Sequence, residues 1–76
     1  MDVKIEEIRD LIEAAESMAD MDTLKNDVPL TEQGVDSLDM ANILLLLEEK
    51  YELKIPDKDT KLLQTIDEIV TYLKYK

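Results

Sequence analysis

The sequence contains no cysteine, no histidine, no tryptophan and no phenylalanine, and it has one glycine and two prolines. Without cysteine there is no disulfide, no thiolate nucleophile and no thiolate metal site, and cysteine usage leaves the redox compartment open. Without histidine the usual general base and the commonest transition-metal ligand are both missing. Three tyrosines are the only aromatic residues, which together with the scarcity of glycine and proline favours helices over a sheet. Positive charge is also in short supply: nine Lys and Arg stand against nineteen Asp and Glu, for a net charge of −10. Nucleic-acid and anionic-lipid affinity depends on cationic side chains displacing counterions, so both classes of partner are excluded and a basic protein partner is implied. The longest uninterrupted apolar run, Ile43 to Leu47, is far too short to span a bilayer, and the opening Met1-Asp-Val-Lys-Ile-Glu-Glu is charged where a secretory leader would be apolar. A soluble, cytoplasmic, monomeric protein with no membrane insertion is the expectation.

What is present is aliphatic and periodic. Residues 1–76 suffice for a single domain near the lower limit for a core without cross-links. Ile5, Ile8, Leu11, Ile12 and Ala15 recur at three- and four-residue steps with Glu6, Glu7, Arg9, Asp10 and Glu13 between them, predicting a first helix from Val3 to about Ser17 with Asp2 as its N-cap. Periodicity then stops. Residues 18–35 collect Asp20, Asp22, Asn26, Asp27, Pro29 and Gly34, which predict a long loop, anchored by Met18, Met21, Leu24, Val28 and Leu30. A calcium-loop reading of Asp20, Asp22 and Asp27 fails, because Leu24 takes a ligand position, Lys25 the sharp-turn glycine position and Thr31 that of the bidentate glutamate.

A second helix follows the turn at Gly34. Asp36 is placed as N-cap, with Asp39 three residues on. Met40, Ile43, Leu44, Leu47 and Tyr51 form its core stripe; Leu38, Ala41 and Leu45 make a second apolar strip, and Leu46 falls toward the polar side beside Asp39, Asn42 and Lys50. Pro56 ends this run. Asp57 to Leu63 predicts a turn or two of helix with Asp57 as N-cap and Leu62 and Leu63 inward. Thr65-Ile-Asp-Glu68 is a capping box opening a last helix that buries Ile66, Ile69, Val70 and Leu73, with Lys74 and Lys76 at its negative end. The expected fold is all-α: a small four-helix bundle, three main helices plus one short helix, with the long loop between helices one and two.

Ser37 stands at the mouth of the second helix. As a catalytic nucleophile it would need an adjacent base; with histidine absent the candidates reduce to lysine or carboxylates, no lysine has Ser-Lys spacing and so small a domain offers little cleft, so no enzymatic activity is expected. As a cap it is redundant with Asp36. As an anchor for a phosphate group it is well placed, because backbone N–H groups at a helix start favour anions.

Gly34-Val-Asp-Ser-Leu-Asp39, the apolar helix after it, Glu48-Glu49-Lys50-Tyr51, Ile55-Pro56-Asp57 and the closing Thr65-Ile-Asp-Glu-Ile69 resemble the acyl carrier protein family along the whole chain. The resemblance implies that a phosphopantetheinyl transferase joins 4'-phosphopantetheine from coenzyme A to Ser37, and that the arm's thiol carries acyl intermediates as thioesters to fatty-acid, lipid or polyketide enzymes. It further implies docking of synthases or ligases with basic patches on Asp36, Leu38, Asp39, Ala41, Leu45, Glu48 and Glu49, acids steering and small apolar groups settling. Gln33, Asn42, Leu46 and Lys50 depart from the family's usual residues and leave the docking enzyme open. Two other readings stand beside this one: an aminoacyl or peptidyl carrier, of the nonribosomal-peptide or D-alanyl kind, and an unmodified acidic interaction module.

Overall fold

The computed structural model describes residues 2–15 and 20–75. In chain order these form α1 (Ile5–Ala15), a 3-10 turn (Leu30–Gln33), α2 (Ser37–Tyr51), a second 3-10 turn (Asp57–Leu62) and α3 (Ile66–Lys74). The all-α class and the long first connection are as expected. The short fourth helix is a 3-10 segment, and the crossover contains a further 3-10 turn that composition alone did not indicate. Met18, Ser17 and Lys76, named above as a loop anchor, a helix end and a terminal cation, lie outside the described residues.

One aliphatic core joins the elements. Ile8, Leu11 and Ile12 of α1 meet Met40, Ile43 and Leu47 of α2 and Ile66, Ile69, Val70 and Leu73 of α3, with Leu63 sealing one end. Each such side chain contributes about 1.5–3 kcal/mol on burial. Helix α1 is the common wall: it packs on α2 and on α3 more extensively than those two pack on each other. No described polar or charged residue is buried, so every polar tie lies at the rim of this core.

The caps of α2 and α3 are those the sequence implies. Asp36 accepts from the Asp39 N–H at 2.8 Å, and Thr65 and Glu68 form a reciprocal box, Glu68 N–H to Thr65 Oγ1 at 2.9 Å and Thr65 N–H to Glu68 Oε1 at 3.0 Å. Helix α2 ends on Glu52 in the left-handed region at φ 52°, its N–H returning to the Glu48 carbonyl.

Four expectations are corrected. Asp2 does not cap α1: the helix opens on the Lys4 carbonyl, which accepts from Glu7 N–H at 3.1 Å and Ile8 N–H at 3.4 Å, because Val3, 2% exposed, is drawn into the core and sets the entry of the chain. Asp57 is the first residue of its turn and Pro56 precedes it as the cap, with no side-chain capping bond. Leu62, the last residue of the turn, points outward at 49% exposure, while Leu63, the residue after it at φ −128° and ψ 42°, has left the helical path and is fully buried. Leu46 is half-buried against the core, because it stands one three-residue step from buried Ile43 and the contact on α2 is wider than a single stripe.

The crossover is held by specific bonds as well as by buried Leu24, Leu30 and Val35. Arg9 of α1, noted above only as a polar residue between apolar ones, donates to the carbonyls of Leu24 at 3.0 Å and Met21 at 2.5 Å and to Asn26 Oδ1 at 2.8 Å. The Asn26 carbonyl accepts from Asp67 N–H at 3.0 Å, and Leu30 N–H donates to the Gln64 carbonyl at 2.8 Å. The loop is thereby fastened to α1 on one side and to the start of α3 on the other.

Candidate functional site

The approach to α2 is built from the 3-10 turn outward. Leu30 is buried and its carbonyl accepts from the N–H groups of Gly34 and Val35. Gly34 takes φ 90°, and a β-carbon there would meet nothing within 4 Å, so the demand for glycine is torsional rather than steric. Val35, next in line, is buried, which leaves Asp36 and Ser37 to emerge together at the surface. Asp36 is extended at φ −81° and ψ 178°, and its carboxylate occupies the Asp39 N–H.

Ser37 is the first residue of α2 and is exposed; its hydroxyl makes no hydrogen bond to another described residue. Helix α2 is fifteen residues long, so the partial positive charge at its start is fully developed. The site thus offers an outward hydroxyl in a field that favours an incoming phosphate. Among the ionisable groups near it, Asp36 has a defined structural use as the cap of α2.

Of the residues expected to meet partners, Leu38, Ala41, Leu45, Glu48 and Glu49 fall on one side of α2, whereas Asp39 lies round toward Leu46 and Asn42, and Asp36 precedes the helix as its cap. Leu38 is 70% exposed and Leu45 53% exposed, Ala41 and Glu49 are exposed, and Asp39 and Glu48 are half-buried. Leu45 and Glu48 take part in two shallow grooves. One runs toward Glu52 and Lys54 at the end of α2; the other lies between α2 and the second 3-10 turn, where Ile55, Asp57 and Thr60 form the opposite wall. That opposite wall was not foreseen, since nothing periodic in Ile55 to Thr60 marks it. Glu48 has an internal role too: its Oε2 accepts from Ile55 N–H at 2.7 Å and ties the chain just before Pro56 back to α2.

Gln33, noted only as a departure, proves to be a clip. Its Oε1 accepts from Lys25 N–H at 2.6 Å, while its Nε2 donates to the carbonyls of Lys25 at 3.0 Å and Val28 at 2.8 Å. A glutamine just before a glycine was the only signal in the sequence, and its partners eight and five residues upstream could not be named from it.

The family model described as phosphopantetheine attachment site matches residues 6–73. The acyl carrier protein of Campylobacter hominis is 39% identical over 69 residues, covering 90% of this chain and 86% of that one. The chain belongs to the acyl carrier protein family. Acyl carrier proteins of Campylobacter fetus, 35% identical over 69 residues, and Campylobacter jejuni, 40% identical over 55 residues, are similar to it in the same way. As an acyl carrier protein it is not an enzyme; it bears 4'-phosphopantetheine and carries acyl groups for synthases and transferases that do the bond-making chemistry. No helix among the described residues is long and apolar enough to cross a membrane.

Proposed function

We propose that Ser37 Oγ is the atom to which 4'-phosphopantetheine is joined, and that residues 1–76 act as a single carrier domain. The observation that carries this is the exposed hydroxyl, without a hydrogen bond to another described residue, at the first position of a capped fifteen-residue helix. The residues present fit the group: Gly34 and Val35 turn the chain so that the hydroxyl faces outward, and the N–H groups of the first turn favour the phosphodiester. When bound, the group supplies a terminal thiol that holds an acyl chain as a thioester.

In attachment, the Ser37 oxygen forms a bond to phosphorus as the pyrophosphate P–O bond of coenzyme A breaks and the nucleotide leaves with that electron pair. The hydroxyl proton goes to a base on the transferase, because this chain has no histidine and the neighbouring Asp36 carboxylate is already engaged by the Asp39 N–H. Asp36 contributes by position: holding the Asp39 N–H fixes the first turn and hence the direction of the Ser37 side chain. Asp36, Leu38, Asp39, Ala41, Leu45, Glu48 and Glu49 are the face on which the transferase and later the synthases or ligases dock, with basic patches opposite the acids. The cargo is an acyl intermediate of fatty-acid, lipid or polyketide-type synthesis, delivered in the cytoplasm by a monomer.

The test is intact-mass spectrometry of the chain after incubation with coenzyme A and a phosphopantetheinyl transferase. Wild type is expected to gain one phosphopantetheine and Ser37→Ala none. Equal gain in Ser37→Ala would place the attachment elsewhere.

A further inference from the structure

The geometry points to Gln33 as a positioning residue for the modification of Ser37, acting by holding the loop segment 25–28 against the turn that leads into α2. This inference rests on the assignment of Ser37 above. The Gln33 amide uses its carbonyl oxygen and both N–H hydrogens in bonds to Lys25 and Val28. Two of these bonds go to the N–H and the carbonyl of the same residue, Lys25, so the side chain closes on the loop as a strand would on its neighbour.

From the clip to Ser37 the path is short and locked at each step. Leu30 is pinned to Gln64, Gly34 and Val35 return their N–H groups to Leu30, Val35 is buried, and Asp36 caps α2. Arg9 secures the loop at Met21, Leu24 and Asn26, but Lys25 and Val28 depend on Gln33 for the side-chain bonds to their backbone. Exposed Lys25, Thr31 and Glu32 therefore form one ordered edge leading to the serine.

A modifying enzyme must grip more than one hydroxyl. A standard interface covers about 800 Å² of each partner, roughly one sixth of this chain's 4905 Å² surface, so a footprint centred on Ser37 takes in neighbouring surface as well as the hydroxyl, beginning with the exposed turn that leads into α2. An edge already ordered spares the enzyme the entropy of ordering it on binding. That saving is present in ground state and transition state alike, so losing it raises KM and leaves kcat in place.

The experiment follows the transfer of phosphopantetheine from coenzyme A by intact mass at varied chain concentration, well below the melting temperature. It compares wild type, Gln33→Met, Gln33→Glu and Tyr51→Phe. Methionine keeps the length and removes all three bonds; glutamate keeps the acceptor and removes both donors. Tyr51→Phe deletes the bond to Glu7 at the α1–α2 contact and serves as a destabilised control. The expected result is KM for the chain raised about tenfold in both Gln33 variants with kcat changed by less than about twofold, and wild-type values in Tyr51→Phe. Hydrogen exchange at the Lys25 amide should be faster in Gln33→Met. Unchanged KM in both variants despite faster exchange, a fall in kcat alone, or unchanged exchange at Lys25 would each overturn the inference. Failure of wild type to be modified at Ser37 would instead overturn the site assignment, and the inference with it.

Discussion

The Tyr51 phenol donates to Glu7 Oε2 at 2.9 Å and so joins the last turn of α2 to the first turn of α1. Burial, and then the hydrogen bond and charge of Glu7, push this phenol up from 10.0 to about 12. Because the folded chain keeps a proton that the unfolded chain has released, stability falls as pH rises through this interval. The contribution is complete below about pH 10 and is gone above about pH 12. In urea unfolding at stepped alkaline pH, Tyr51→Phe should lose part of the steep decline seen in wild type over that window; identical slopes would show the phenol to be unlinked to folding. At this scale the sequence was legible for residues whose role is local. Gly34, Asp36 and the Thr65–Glu68 pair act on backbone within a few positions of themselves, and their residue types name the act. Tyr51 finds its partner 44 residues away, and no pattern near either residue points to the other.

Among the elements, the helices were the readable part because each carries a 3.6-residue stripe and two of them carry side-chain caps. Their edges were less so. Val3 overrode a good capping residue at Asp2, and the chain leaves the second 3-10 turn between Leu62 and Leu63, which sends the two side chains apart. The crossover was recognisable as a loop with aliphatic anchors, yet its fastening by Arg9 was not, since the carbonyls it meets belong to a segment without periodicity. Arg9 supplies a rigid fork that reaches three acceptors at once, which an ammonium cannot reproduce. Arg9→Lys should therefore cost about 1–3 kcal/mol, read as a lower urea midpoint at unchanged slope. Lys4→Ala, at an exposed position on the same stretch of chain, should stay within about 0.5 kcal/mol. Equal effects of the two substitutions would mean that Arg9 acts only as a surface charge.

For the whole molecule the governing number is a net charge of −10 on a body 28 × 23 × 19 Å across. The Debye length is about 30 Å at 0.01 M salt and about 8 Å at 0.15 M. In dilute buffer every carboxylate therefore feels every other, whereas at physiological ionic strength only near neighbours interact. Self-repulsion of this kind opposes the compact state. Raising salt from the first condition to the second should stabilise the fold by about 1 kcal/mol, a rise in melting temperature of about 4–8 °C. Calorimetry across that range checks it, and a flat melting temperature would show that the unfolded chain repels itself just as strongly. Net charge and composition are scale-free properties of the sequence, so the acidic character was evident from the outset.

Because α1 faces both α2 and α3 more fully than they face each other, the three helices stand like a book with α1 as the spine. Of the three helix pairs, α2 with α3 is therefore the one whose parting would disturb the least packing, and the outer edge between them is the seam that the core holds closed least firmly.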